Sequence, residues 1–269
     1  MKKKSVGIVG CGTIGLALAE VLFKELQHVV AEVYVCDHHA DKAVILARKF
    51  KKAKIVNLPT LIQKSDIVLE SGSVQAAGEI LNLPLRENQD VLIMSVGGLL
   101  EFSDPLKVLH QKKAHFWIPS GAVSGLDAIW SSKQAGLKSV KLITRKPPQG
   151  LDQADYFKKH PFPKLTGDKE VCIFRGSARE AVKNFPQNIN VAAVLSIAGL
   201  GATKTQVEIW TSKKYTSNQH EVKVFSGAGE IMSVTRNVPS KQNPKTSALA
   251  VYSAIASLKN IFSRIRIGA

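Results

Sequence analysis

Val6-Gly7-Ile8-Val9-Gly10-Cys11-Gly12-Thr13-Ile14-Gly15 joins a short apolar run to a G-x-G-x-x-G turn, and Ile14, Leu18, Val21, Leu22 and Leu26 follow at helical spacing. Strand, glycine turn and helix in that order form the phosphate-binding start of a Rossmann domain. Each glycine has a physical reason. Gly10 allows the tight turn, Gly12 lets the backbone approach a pyrophosphate, and Gly15 lets helix and strand pack closely. The helix N-terminus offers free amides and a partial positive charge to phosphates. Gly10, Gly12, Thr13, Ile14 and Gly15 are therefore candidate dinucleotide contacts. Asp37 lies 22 residues past Gly15, at the end of a second apolar run over 29–36, where a carboxylate accepts hydrogen bonds from the adenosine ribose. That favours NAD, while His38, His39 and Lys42 beside it leave NADP open.

The same rhythm continues outward. Helical patterns over 40–49, 74–81 and 104–111 alternate with short β-branched runs over 54–57, 65–70, 90–95 and 114–118. Strands alternating with helices over residues 1–120 imply a doubly wound parallel sheet, an α/β Rossmann domain. Ligands of such sheets bind beyond the carboxyl ends of the strands. Three small polar segments fall there: Glu70-Ser71-Gly72-Ser73, Ser95-Val96-Gly97-Gly98 and Pro119-Ser120-Gly121-Ala122. They make Ser71 and Gly97 candidate cofactor contacts and Ser120 a candidate substrate contact.

From residue 121 the pattern changes to longer, partly alternating strands over 137–144, 170–174, 203–210, 221–225 and 230–236, with Ser226-Gly227-Ala228-Gly229 as a hairpin connection. Ser177 and Glu180 form a capping box that opens a helix to Asn184, and a second apolar helix runs over 190–198. Residues 121–241 thus read as an α+β domain on one sheet, serving catalysis and dimerisation. Asn243 caps and Pro244 starts a last helix running over 246–262. Its apolar face of Leu249, Tyr252, Ile255, Ala256 and Ile261 is expected to pack residues 242–269 back on the first domain.

Composition narrows the class. The chain has 269 residues, 45% hydrophobic and 22% charged, which is globular rather than disordered. Three cysteines without a C-x-x-C pair argue against a disulfide framework and against a metal site, and point to a reducing, cytoplasmic setting. The net charge of +16 comes from short lysine runs scattered along the chain without aromatic interleaving. It reads as a solvated surface, with no nucleic-acid partner expected. Lys2-Lys3-Lys4 precedes an apolar segment too short for a secretory leader, and no stretch is long enough to cross a membrane.

Four further segments carry a resemblance. Ile118-Pro-Ser-Gly-Ala-Val-Ser-Gly-Leu-Asp127, Asn184-Phe-Pro-Gln-Asn-Ile-Asn-Val-Ala-Ala193, Asn218-Gln-His220 and Asn237-Val-Pro-Ser-Lys-Gln-Asn-Pro-Lys-Thr-Ser247 resemble the L-aspartate dehydrogenase family, and with the glycine fingerprint they span nearly the whole chain in order. The resemblance implies NAD(P)-dependent oxidative deamination of L-aspartate, through iminoaspartate, to oxaloacetate and ammonia, or release of the imine to NAD biosynthesis. It implies a homodimer built on the second sheet. His220 corresponds to the family's catalytic histidine, and Ala122, Asn188 and Asn190 to positions near the nicotinamide, with the choice between the two asparagines open.

Chemistry agrees with this assignment. Hydride leaves the substrate Cα only when the amine is neutral, so one proton acceptor is required, and a histidine with an ordinary pKa of about 6.5 suits the task. Aspartate brings two carboxylates, for which Lys245, Thr246 and Ser247 at a helix N-terminus are candidate donors, unless they only cap that helix. The site is expected in the cleft between the domains. A homoserine-dehydrogenase-like or dihydrodipicolinate-reductase-like enzyme shares the first domain and differs in substrate. A non-catalytic dinucleotide sensor shares the fingerprint and lacks amine-dependent turnover.

Overall fold

The computed structural model describes residues 2–149, 151, 153–185, 190–244, 246–265 and 267. The chain divides into two compact units, one formed by Met1–Pro119 and Val251–Arg266, the other centred on Ser120–Ala250.

The first unit alternates β1 (Lys4–Val9), α1 (Thr13–Lys24), β2 (Val30–Cys36), α2 (Ala40–Lys49), β3 (Ala53–Ile55), α3 (Leu58–Lys64), β4 (Ile67–Glu70), α4 (Val74–Asn82), β5 (Asp90–Ile93), α5 (Pro105–His110) and β6 (His115–Trp117). Six parallel strands lie in the order β3-β2-β1-β4-β5-β6. This is the Rossmann order, and the strand direction of travel reverses between β1 and β4, where such sheets open a ligand crevice. β4 and β5 are buried at every position, as expected for central strands covered on both faces. The helix α3 escapes the sequence reading because it has only two buried apolar positions, Leu61 and Ile62. Its start is written in Asn57, whose side chain accepts from the Thr60 amide, and in Pro59 of the first turn.

The second unit begins with α6 (Leu126–Ser132), also missing from the sequence reading, and continues with β7 (Leu137–Lys146), β8 (Val171–Ser177), α7 (Ala178–Asn184), α8 (Asn190–Ala198), β9 (Gln206–Thr211), β10 (Gln219–Ser226) and β11 (Gly229–Arg236). The sheet order is β11-β10-β7-β9-β8, with β7 and β9 parallel and the other pairs antiparallel. Both bonds of the Ser177–Glu180 capping box are formed. β10 and β11 close through Gly227-Ala228, with Ser226 paired to Gly229.

The last helix corrects the sequence reading. It is α9 (Ala248–Phe262), and Asn243 and Pro244 do not open it. Asn243 donates its amide to Ser240 O, Thr246 donates to Asn243 O, and Ser240 donates to Thr246 O, so this segment is a closed loop with Pro239 bridged to Ser247. The Thr246 amide, which a cap at Asn243 was meant to satisfy, is bonded to the Asn243 carbonyl instead. The apolar face is also different. Ala254 and Leu258 are buried in the first unit's core, with Ile255, Ile261 and Phe262 packed beside them, and Val251 is buried too, whereas Leu249 and Tyr252 are 40% and 67% exposed. Two overlapping stripes in this helix satisfy the 3.6-residue period, and only packing selects between them.

Candidate active site

The glycine turn shows why three glycines are needed. Gly10 has φ +92°, and a Cβ there would lie 2.4 Å from Gly72 Cα. A Cβ on Gly15 would lie 2.0 Å from Gly10 O, so the helix and the turn touch backbone to backbone. At Gly12 a Cβ would meet nothing within 4 Å. Open space beside the N-cap residue of α1 is what a pyrophosphate needs. That helix end has no side-chain cap and no acidic residue in its first turn, which Thr13, Ile14 and Gly15 begin. A cleft of about 580 Å³ runs past Gly10, Gly12, Asp37, Ser71 and Lys42.

Asp37 ties the cleft together. Its Oδ2 accepts from the Cys11 amide at 2.7 Å and its Oδ1 from the His39 amide at 2.8 Å, so the carboxylate is fixed where β2 ends. Ser71 Oγ donates to Gly10 O at 2.9 Å. Glu70, which the sequence reading placed among ligand-facing residues, is fully buried. It accepts from the amides of Gly72, Met94 and Ser95 and from Ser95 Oγ, locking the turns after β4 and β5. Burial pushes its carboxyl above the usual carboxylate range, and those bonds offset only part of that rise. Gly97 lies buried in the 3₁₀ turn Val96–Glu101. Burial pushes the thiols of Cys11 and Cys36 up to about 12, so both are protonated and unreactive at neutral pH. The open face at Gly12, the uncapped helix and the anchored carboxylate fit a dinucleotide. Among the described residues no cluster of His, Cys, Asp or Glu is able to hold a metal ion.

In the second unit, His220 is the second residue of β10 and only 3% exposed. Its Nδ1 lies 2.9 Å from Thr144 Oγ1, the directly opposite residue on β7. Two residues further along β7, Lys146 is 6% exposed. Burial, with the charge of Lys146 second, pushes the His220 imidazolium down to about 3, and burial pushes Lys146 down to about 8. The imidazole is therefore neutral across the physiological range. Sequence reasoning found His220 but neither neighbour. A lysine at an inward position of an alternating strand was the available signal.

Ala122 is buried, and its carbonyl accepts from Asn237 Nδ2 at 3.0 Å and from Thr235 Oγ1 at 3.1 Å. Asn237 Oδ1 in turn accepts from Ser247 Oγ at 2.7 Å, so Ser247 serves this network. Thr246 lines a pocket of about 50 Å³ with Thr216, Ser217 and Asn218, and it lies in the loop before α9 rather than at its N-terminus. Ser120 is half-buried, Asn190 is the exposed first residue of α8, and Asp127 is exposed in the first turn of α6. Asn188 and Lys245 lie outside the described residues.

Known proteins match the chain along its length. A family model described as "Aspartate dehydrogenase, C-terminal" matches residues 127–261, and one described as "Homoserine dehydrogenase, NAD binding domain" matches residues 10–118. The chain is 40% identical to an L-aspartate dehydrogenase of Methanosarcina acetivorans and 39% identical to that of Methanosarcina mazei, covering 98% of both chains in each case. The crystal structure of aspartate dehydrogenase from Thermotoga maritima matches with a TM-score of 0.74 and 26% identity, over 98% of this chain and 99% of that one. With relatives at this identity over nearly its whole length, the chain belongs to the L-aspartate dehydrogenase family.

Proposed function

We propose that this chain catalyses the NAD-dependent oxidative deamination of L-aspartate through iminoaspartate to oxaloacetate and ammonia, or the reverse reductive amination. The observation that carries the reading is the buried, neutral His220 with one ring nitrogen engaged by Thr144, in a chain that also holds a dinucleotide fingerprint. A nicotinamide dinucleotide bound along Gly10, Gly12, Thr13, Ile14, Gly15 and Ser71 supplies the hydride acceptor. Asp37 takes the ribose hydroxyls and favours NAD over NADP. Gly97, Ala122 and one of Asn188 and Asn190 complete the cofactor's surroundings.

The chemistry of the residues follows. With Nδ1–H directed at Thr144 Oγ1, Nε2 keeps the lone pair and accepts the proton that the substrate ammonium must lose. Hydride then leaves Cα with both bonding electrons, and the nitrogen lone pair forms the C=N bond of the protonated imine. His220, once its first proton has passed to solvent, takes a proton from the water that adds to this carbon and returns it to the nitrogen, so ammonia leaves and oxaloacetate remains. An imidazole held at about 3 is a weak base in the ligand-free protein. A substrate carboxylate beside it raises that value toward the working range, because an adjacent negative charge favours the imidazolium. Ser120, Lys245, Thr246 and Ser247 are proposed substrate donors. Release of the imine to NAD biosynthesis is the second fate of the product.

The protein works in the reducing cytoplasm on this reading, where Cys11, Cys36 and Cys172 stay free. A homodimer is supported by the outer face of the second sheet, where Phe225, Met232 and Val234 are 45%, 58% and 47% exposed on adjacent strands.

The test is NADH oxidation with oxaloacetate and ammonia, wild type beside His220→Ala, with homoserine plus NAD as a control. Ammonia-dependent turnover lost in the variant supports the reaction and the histidine. Turnover surviving in the variant discards the histidine. Homoserine oxidation without ammonia-dependent turnover moves the substrate. NADH binding with neither activity leaves the sensor reading.

A further inference from the structure

The edge strand of the second sheet carries a row of polar side chains that neither the glycine turn nor His220 explains. Ser233, Thr235 and Asn237 alternate along β11 and one residue past its end, so they share a face. Each reaches a carbonyl of the segment 120–125. Ser233 Oγ donates to Ser124 O at 3.2 Å, Thr235 Oγ1 to Ala122 O at 3.1 Å, and Asn237 Nδ2 to the same Ala122 O at 3.0 Å. That segment belongs to no helix or strand and turns through Gly121 and Gly125, with φ of +65° and +88°. Its place is therefore set by what holds it from outside.

Thr235 and Asn237 are also tied to the strand that carries His220. Thr235 is the register partner of His220, and its Oγ1 lies 3.4 Å from His220 O. The hydroxyl thus sits between two carbonyls with one proton to give, and Ala122 O is the nearer. The Asn237 backbone amide donates to Asn218 O, two residues before His220, at 2.9 Å. The Asn237 side chain is fixed in orientation as well. Ser247 Oγ donates to its Oδ1 at 2.7 Å, which leaves Nδ2 for the carbonyl, and Ser247 is bridged in turn to Pro239. Ala122, Asn237 and Ser247 are all buried. A buried carbonyl with two donors holds its peptide plane, because water is not there to replace either bond.

We infer that Thr235 and Asn237 are positioning residues: by clamping the Ala122 carbonyl from beside His220, they fix the spacing between the nicotinamide's neighbour and the proton acceptor. The inference rests on the reading of Ala122 as that neighbour and of His220 as the base. Hydride and proton leave adjacent atoms of the substrate, Cα and its nitrogen, so their two acceptors need a set separation. A misplacement of about 1 Å costs about 100-fold in rate.

The experiment follows NADH formation in the first turnover after mixing with saturating L-aspartate and NAD, beside NADH affinity from fluorescence titration. It compares wild type, Thr235→Val, Thr235→Ser and Asn237→Ala. Valine is close to threonine in shape and suits a strand, so Thr235→Val removes the donor and keeps the fold. The first-turnover rate is expected to fall about 10-fold in Thr235→Val and in Asn237→Ala, with NADH affinity within about 2-fold of wild type. Thr235→Ser keeps the donor and recovers most of the rate. Thr235→Val at the wild-type rate, or Thr235→Ser as slow as Thr235→Val, overturns the inference while leaving aspartate oxidation standing. Wild type that forms no NADH from L-aspartate removes the reaction and the inference with it. Thermal melting accompanies each variant. A slow variant that melts like wild type supports the clamp, and a rate loss found only where Tm falls overturns it. Where Asn237→Ala does not fold, the two Thr235 variants decide.

Discussion

Thr144 and His220 are 76 residues apart in sequence and directly opposite in the sheet, with Oγ1 and Nδ1 2.9 Å apart. In the mechanism proposed above the hydroxyl accepts Nδ1–H, and this selects the tautomer in which Nε2 is the base. Thr144→Val removes that selection without changing size much. It is expected to lower kcat roughly 10-fold, while Thr144→Ser keeps most of the rate. A Val variant with wild-type kcat rules out a positioning role for the hydroxyl.

Burial of a neutral histidine also links stability to pH. The folded imidazole titrates near 3 and the unfolded one near 6.5, so between those values the unfolded chain binds the extra proton. Stability contributed by the neutral His220 is complete above about 6.5 and declines as pH falls toward 3. The loss from pH 7 to pH 5 amounts to about 2 kcal/mol. Denaturant melts at the two pH values are expected to differ less for His220→Gln than for wild type. Equal acid sensitivity in both proteins counts against a buried neutral imidazole.

Gly12 and Gly15 separate binding from folding. Gly12→Ala places its methyl in open space, so the protein is expected to melt like wild type and to bind NADH about 10-fold or more weakly. Gly15→Ala drives a methyl into the Gly10 carbonyl and is expected to lower Tm. Fluorescence titration with NADH and thermal melting of both variants read the two effects independently. Unchanged NADH affinity in Gly12→Ala removes the pyrophosphate from that position.

Asp37→Ala is expected to lower the NAD to NADP ratio of kcat/KM about 10-fold, through loss of the ribose contact. It also orphans the amides of Cys11 and His39, so a loss of roughly 1 kcal/mol of stability accompanies it. A cofactor ratio that does not move assigns the carboxylate to the turn alone.

Much of the first unit was readable because its signals are local. The glycine positions, the alternation of short strands and helices, and the capping box at Ser177 and Glu180 are each set within a few residues by backbone sterics and hydrogen-bond supply. The helices α3 and α6 were not readable in the same way, since each is only seven residues long with two buried positions, too little for a periodic pattern. The start of α9 was misread because Asn243-Pro244 is a sound cap locally, and the loop bonded from Ser240 to Thr246 took its place.

The sequence by itself determined the Rossmann strand order's starting turn, the identity of Asp37 and His220 as chemical candidates, and the family. Tertiary structure alone decided what those side chains meet. The pairing of β7 with β10 gives His220 its threonine and its neighbouring lysine, and packing buries Val251, Ala254 and Leu258 rather than Leu249 and Tyr252. The reason is physical. Turn and cap chemistry depends on dihedral angles and nearest neighbours, whereas strand register and the choice of a buried face depend on contacts made by residues far apart in the chain.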